Sequence, residues 1–162
     1  MNIGTTFVTV LRGKREGWDH ATVETFDWAS EAGELMLRVS DFDKFGYLLD
    51  DLAMHERHAI ARAEFESLLA RVTYLTEALG LVEWDEDLGG LARSAPAEMD
   101  AAAKEYFELT ARARDIALRR FAAGRQRERV SFHLTERQLA RLVNDLHALC
   151  AAPDQPGSQR SI

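Results

Sequence analysis

The residues best suited to chemistry are the cluster His55-Glu-Arg-His58, four aspartates just before it, and an arginine run further on. Histidines three residues apart share one side of a helix and can bind one metal ion. The spacing here is H-E-x-H. It is not the H-E-x-x-H that sets two zinc ligands and a general base on one helical face. His20, His133 and His147 stand alone in the chain. No third ligand is signalled, so no metal is expected. Asp41, Asp43, Asp50 and Asp51 invite a general-acid reading, but capping of a helix and exposure to water account for all four. No serine occupies a nucleophile elbow, and no glycine-rich loop leads into a helix in the phosphate-binding manner. Gly89-Gly90 alone is a turn. No catalytic residue and no cofactor are assigned.

Arg112, Arg114, Arg119, Arg120, Arg125, Arg127 and Arg129 fall within eighteen residues. Arginine clusters can hold phosphate backbones. On a helix, however, Arg112 and Arg119 share one side while Arg114 and Arg120 lie elsewhere, and Asp115 and Glu128 interrupt the run. A salt-bridged, solvated face is the first reading. Nucleic-acid binding through Arg112, Arg119, Arg120 and Arg125 is the alternative.

The elements that would position these residues follow from periodicity. Residues 5–12 are rich in β-branched and aromatic types, residues 21–28 and 34–40 alternate, and all three are read as strands of an antiparallel meander. Residues 41–80 hold no proline and one internal glycine, Gly46. They are read as helical, with Gly80 as the terminating glycine. Phe42, Phe45, Leu49 and Leu52 make one stripe; Ala61, Phe65, Leu68, Val72, Leu75 and Leu79 make another, about 150° away on an ideal helix. Either the helix breaks near 52–58 or two partners cover its two ends. Residues 81–96 are a loop. Residues 97–123, rich in alanine and arginine, are a second helix, with Pro96 just ahead of it and Gly124 at its end. Residues 128–134 alternate as a last strand. Thr135-Glu-Arg-Gln138 is a capping box opening a final helix over 136–150, with Leu139, Leu142, Val143, Leu146 and Leu149 on one stripe. Stretches 34–52 and 128–146 share a strand–cap–helix plan, which raises a degenerate duplication.

The expected fold is therefore α+β. It has a small, mainly antiparallel sheet of about four strands with helices on one face, and a long antiparallel helical hairpin over 58–123 between two β-α units. One domain spans 1–152, and the polar, turn-rich 153–162 is a disordered tail. The single cysteine, Cys150, excludes an intramolecular disulfide and reads as a small apolar helix residue. A net charge of −7 argues against general nucleic-acid binding. No run reaches the ~20 apolar residues of a membrane span, and the N-terminus lacks signal-peptide character, so a cytoplasmic protein is expected.

The helix over 97–123 is apolar beyond one seam, and Tyr106, Phe107, Leu118 and Phe121 are the expected contact with another chain. The leading expectation is a non-catalytic interaction protein of adaptor, chaperone-like or antitoxin/immunity-like kind, acting with a protein partner or as a homodimer. A nucleic-acid-binding regulator and a small enzyme of unknown reaction are the alternatives.

Overall fold

The structure, a computed structural model, describes residues 2–18, 24–30, 33–56, 58–94 and 104–151. Helix α1 (Ile3–Arg15) precedes strands β1 (Glu24–Ala29), β2 (Gly33–Phe42) and β3 (Gly46–Glu56). Helix α2 (Arg62–Arg71) leads into β4 (Leu79–Asp85), β5 (Gly89–Ser94), β6 (Lys104–Arg112) and β7 (Asp115–Ala123). Two short strands, β8 (Glu128–Val130) and β9 (Phe132–Thr135), then run into α3 (Glu136–Ala151). The nine strands form one sheet in the order β1-β2-β3-β7-β6-β5-β4, with β8 on β7 and β9 on β3. Every pairing is antiparallel.

The expected α+β class stands, but the sheet is more than twice the expected size and the described residues form no helical hairpin. The stretch 41–80 is not one helix: it ends β2, forms β3 and α2, and starts β4. The stretch 97–123 supplies β6 and β7, a β-hairpin closed at Ala113-Arg114. Residues 5–12 lie in α1 rather than in a strand. Residues 81–96 begin with a β-hairpin rather than a free loop. The duplication loses its basis, because 34–52 is strand–strand while 128–146 is strand–helix. Pro96, His20 and 153–162 lie outside the described residues, as does the side chain of Cys150.

The final helix matches expectation. Thr135 Oγ1 accepts from the Gln138 N–H while the Gln138 side chain accepts from the Thr135 N–H, a complete capping box. Leu139, Leu142, Val143, Leu146 and Leu149 are all buried. At about 1.5–3 kcal/mol per fully buried side chain, that stripe fixes α3 to the core. Helix α1 packs beside it on the same side of the sheet, with Phe7 edge-on to Phe26 and to Trp28 of β1. Helix α2 sets Phe65 against Trp84 of β4. The loop after α2 is tied to α3: the Tyr74 hydroxyl donates to Asp145, and Gln138 donates to the Tyr74 carbonyl. Burial, then that bond to a carboxylate, pushes the Tyr74 phenol far above its ordinary value.

Two tight turns carry aspartates that accept from backbone N–H groups: Asp43 from Phe45 and Gly46, Asp85 from Asp87 and Leu88. These bonds hold both carboxyls below the usual aspartate range. A depressed folded value means stability that is present above the unfolded value, about 3.9, and lost as pH falls through the folded value. The melting temperature is expected to fall below about pH 4 less steeply in Asp43→Ala/Asp85→Ala than in the wild type. Parallel acid-limb curves would contradict this assignment.

Candidate protein-binding face

All three helices cover one face of the sheet. Leu35, Leu37 and Val39 of β2, Leu52 and Met54 of β3, Ile116 and Leu118 of β7 and Leu109 and Ala111 of β6 point into that side and are buried. Alternation puts their strand neighbours on the other face. The register arranges that second face in three rows across the strands. The middle row reads Met36, Ala53, Ala117, Thr110 and Leu91 from β2 to β5, flanked by Asp27 on β1. One outer row reads Glu34, His55, Asp115 and Arg112. The other reads Arg38, Asp51, Arg119, Glu108 and Arg93. No described helix packs on this face.

The charges form a checkerboard. Each outer row alternates acid and base from strand to strand, and β2, β3, β7 and β6 each carry an acid and a base four residues apart on either side of the middle residue. The pairs are Glu34/Arg38, Asp51/His55, Asp115/Arg119 and Glu108/Arg112. Several close laterally as cross-strand ion pairs. His55 Nδ1 lies 2.6 Å from Asp115, Arg119 Nε 3.2 Å from Asp51, and Arg93 Nε 3.1 Å from Glu108. Arg127 adds a second contact to Glu108 at 2.8 Å.

Where β3 leaves β7 to pair with β9, the sheet forks, and the fork is polar. Asp51 is 6% exposed and forms ion pairs with Arg119 and, at 3.3 Å, with Arg129, the Arg119 Nε contact falling short of hydrogen-bond geometry. Arg129 also donates to the Asp50 carbonyl, and the Ser131 hydroxyl donates to the Asp50 carboxylate. Asp50 is the extra residue of a bulge, since Leu49 pairs with Val39 and Asp51 with Arg38. Asp50 and Asp51 were expected to face water on a helix; instead they lock the branch point. Asp43 caps the β2–β3 turn, and Asp41 accepts from the Phe42 N–H at the end of β2.

The residues expected to contact a partner divide between the two faces. Phe107 and Leu118 are in the core, 4% and 1% exposed. Tyr106 and Phe121 lie opposite each other on the open face and stack at 5.9 Å. Arg93 lies over the Tyr106 ring and Arg127 over the Phe121 ring. The four arginines of the nucleic-acid alternative are not brought together. Arg119 is on the open face with Asp51, whereas Arg120 is on the helix side, bonded to Glu77 and Glu105. Arg112 ends β6, and Arg125 lies in the β7–β8 turn.

The histidines engage different carboxylates, His55 with Asp115 and His58 with Glu64 at 3.2 Å. Among the described residues no group of three or more His, Cys, Asp or Glu side chains is placed to hold a metal ion. A shallow depression of about 580 Å³ opens on the checkerboard, lined by Asp27, Glu34, Met36, Ala53, His55 and Asp115 among others. No helix among the described residues is long and apolar enough to cross a membrane.

Fold and face together define a helix-backed antiparallel sheet with one open, charge-patterned side. No known protein family, no curated protein and no solved structure matches this chain.

Proposed function

We propose that the chain is a non-catalytic interaction protein, of adaptor, chaperone-like or antitoxin/immunity-like kind, whose working surface is the open face of the sheet. The observation that carries this reading is the middle row. A face that only meets water in an antiparallel sheet alternates polar against the apolar core side. Here Met36, Ala53, Ala117 and Leu91 run across the open side with only Thr110 between them. Paired charges fence this apolar band, as a polar rim surrounds the apolar centre of a protein interface. Tyr106, with Arg93 over its ring, extends the surface with a residue type enriched in such interfaces, while Phe121, 6% exposed beneath Arg127, supports it. A protein partner accounts for this pattern.

The test compares wild type with Ala53→Arg/Leu91→Arg, both immobilised and exposed to an extract of the native cell. Both side chains are half-buried on the open face, so circular dichroism is expected to be unchanged. Wild type is expected to retain a specific protein, its own untagged copy included, that the variant loses. Identical retained sets would contradict the proposal.

A further inference from the structure

The pattern on the open face also identifies which partner fits it, and this step rests on the reading of that face as a protein-binding surface. We infer that the occupant is a second copy of the same chain, stacked face to face about a two-fold axis that runs along the Met36–Leu91 row.

The argument is one of charge complementarity. A two-fold axis lying along the middle row turns each strand end for end. The residue two positions before a strand's middle residue then meets the residue two positions after it in the other copy. On β2, Glu34 meets the partner's Arg38 and Arg38 meets the partner's Glu34, around Met36 facing its own image. The same operation opposes Asp51 to His55 on β3, Asp115 to Arg119 on β7 and Glu108 to Arg112 on β6. Each of these four strands carries an acid and a base at this spacing, so opposite charges face each other in the β2, β7 and β6 columns and a carboxylate faces an imidazole in the β3 column. An unrelated partner would need the mirrored pattern; a second copy has it by symmetry, as an isologous interface requires. Lateral cross-strand pairing explains alternation within one row. It does not require the two rows to be out of phase across an apolar band.

Packing favours the same occupant. The axis leaves the strands of the two sheets aligned, the usual sandwich geometry, at about 10 Å separation and about −30° rotation. That rotation splays the outer strands, where Asp27 would otherwise face its own image. Small residues at Ala53 and Ala117 let the sheets approach. The five strands β2, β3, β7, β6 and β5, about 4.8 Å apart, and a band about 17 Å tall give roughly 400 Å² per copy. The total of about 800 Å² is that of a weak, transient interface.

The experiment is sedimentation equilibrium of the full chain across about 1 µM to 1 mM, which brackets a weak interface. The wild-type mass is expected to rise from 18.3 kDa towards twice that value. Glu34 and Arg38 are both exposed, so exchanging them leaves the core untouched. Glu34→Arg places arginine against arginine twice per dimer and is expected to weaken association about tenfold or more. Glu34→Arg/Arg38→Glu restores opposite charges under this axis and is expected to return to within about threefold of wild type. An axis along the strands would instead oppose Glu34 to Arg112, and the double exchange would then fail to rescue. A wild type that stays monomeric, a single variant that associates equally well, or a double variant no better than the single one each overturns the inference. A monomeric wild type whose Ala53→Arg/Leu91→Arg variant still loses a captured protein leaves the binding face standing and removes only self-association. If that variant loses nothing, the face reading fails as well.

Discussion

Asp51→Ala is expected to lower the unfolding free energy by about 2–3 kcal/mol, the largest loss from a single charged residue of the open face. Removing one member of a buried ion pair costs about 3–5 kcal/mol, because the partner's charge is left desolvated and alone. Asp51 is 8% exposed at its side chain, but Arg119 and Arg129 keep 33% and 45% of theirs, so water takes over part of the lost interaction. The position is also architectural. Leu49 pairs with β9, whereas Leu52 pairs with β7, and Asp51 holds Arg119 of β7 and Arg129 of β8, the strand paired with β7 beyond the fork. Its loss is expected to loosen β8 and β9 as well as weaken β3. A chain of this length shifts its melting temperature by about 2–4 °C per kcal/mol, so a fall of roughly 4–12 °C is expected. Asp115→Ala is the contrast: Asp115 and His55 are 65% and 57% exposed, and the change is expected to stay within about 0.5 kcal/mol. Equal losses by calorimetry would contradict the fork's role.

The second large effect is expected at Gly4, and its sign runs against propensity. Glycine within a helix is about 1 kcal/mol worse than alanine, so Gly→Ala ordinarily stabilises. At Gly4 a Cβ would lie 1.9 Å from the carbonyl oxygen of Ala140, where α1 crosses α3 backbone against backbone. The Gly4 N–H also donates to Asn144 at 2.7 Å, which pins the crossing. Backbone cannot rotate out of the way as a side chain can. Gly4→Ala is therefore expected to destabilise by about 1–3 kcal/mol, with α1 displaced from α3. Gly13, in the same helix, has nothing within 4 Å of its built Cβ, and Gly13→Ala is expected to stabilise by up to about 1 kcal/mol. Opposite signs from two identical substitutions, read by chemical denaturation, are the expected signature.

The sequence exposed the elements whose signals are local. Helix α3 showed both its capping box and its apolar stripe, and β2 showed unbroken alternation of Leu35, Leu37 and Val39. What it hid depends on distant partners. In β3 the bulge at Asp50 moves the core-facing set from Tyr47 and Leu49 to Leu52 and Met54, a change of parity that imitates helical spacing. The β6–β7 hairpin is made of good helix formers and turns at Ala113-Arg114, with no glycine or asparagine to announce it. Ala113 takes a positive φ of 54° all the same. The turn is held by the β3–α2 segment, where Glu56 N–H donates to the Arg114 carbonyl and Ile60 N–H to that of Ala113. Helix α1 had a usable signal: Ile3, Phe7 and Leu11 recur every four residues, and the burial of Phe7 and Leu11 outweighs the β-branched composition.

The candidate face was hidden for the same reason. Its acid–base spacing of four residues is present in the linear sequence but also suits i,i+4 pairs on a helix. Only the register shows that Glu34/Arg38, Asp51/His55, Asp115/Arg119 and Glu108/Arg112 lie side by side. Of the aromatic residues singled out in advance, Tyr106 and Phe121 reach that face because alternate residues of a strand share a side, while Phe107 turns into the core.

The central claim is that the side of the sheet opposite the helices is the working surface. Carboxyl-labelling footprinting of the protein, dilute and alone and then engaged with its partner, tests it most directly. The account predicts that Glu34 and Asp115, both exposed on the open face, become protected on engagement, while Glu16 after α1 and Glu66 on α2 label as before. Protection of Glu16 and Glu66 with unchanged labelling of Glu34 and Asp115 would contradict it.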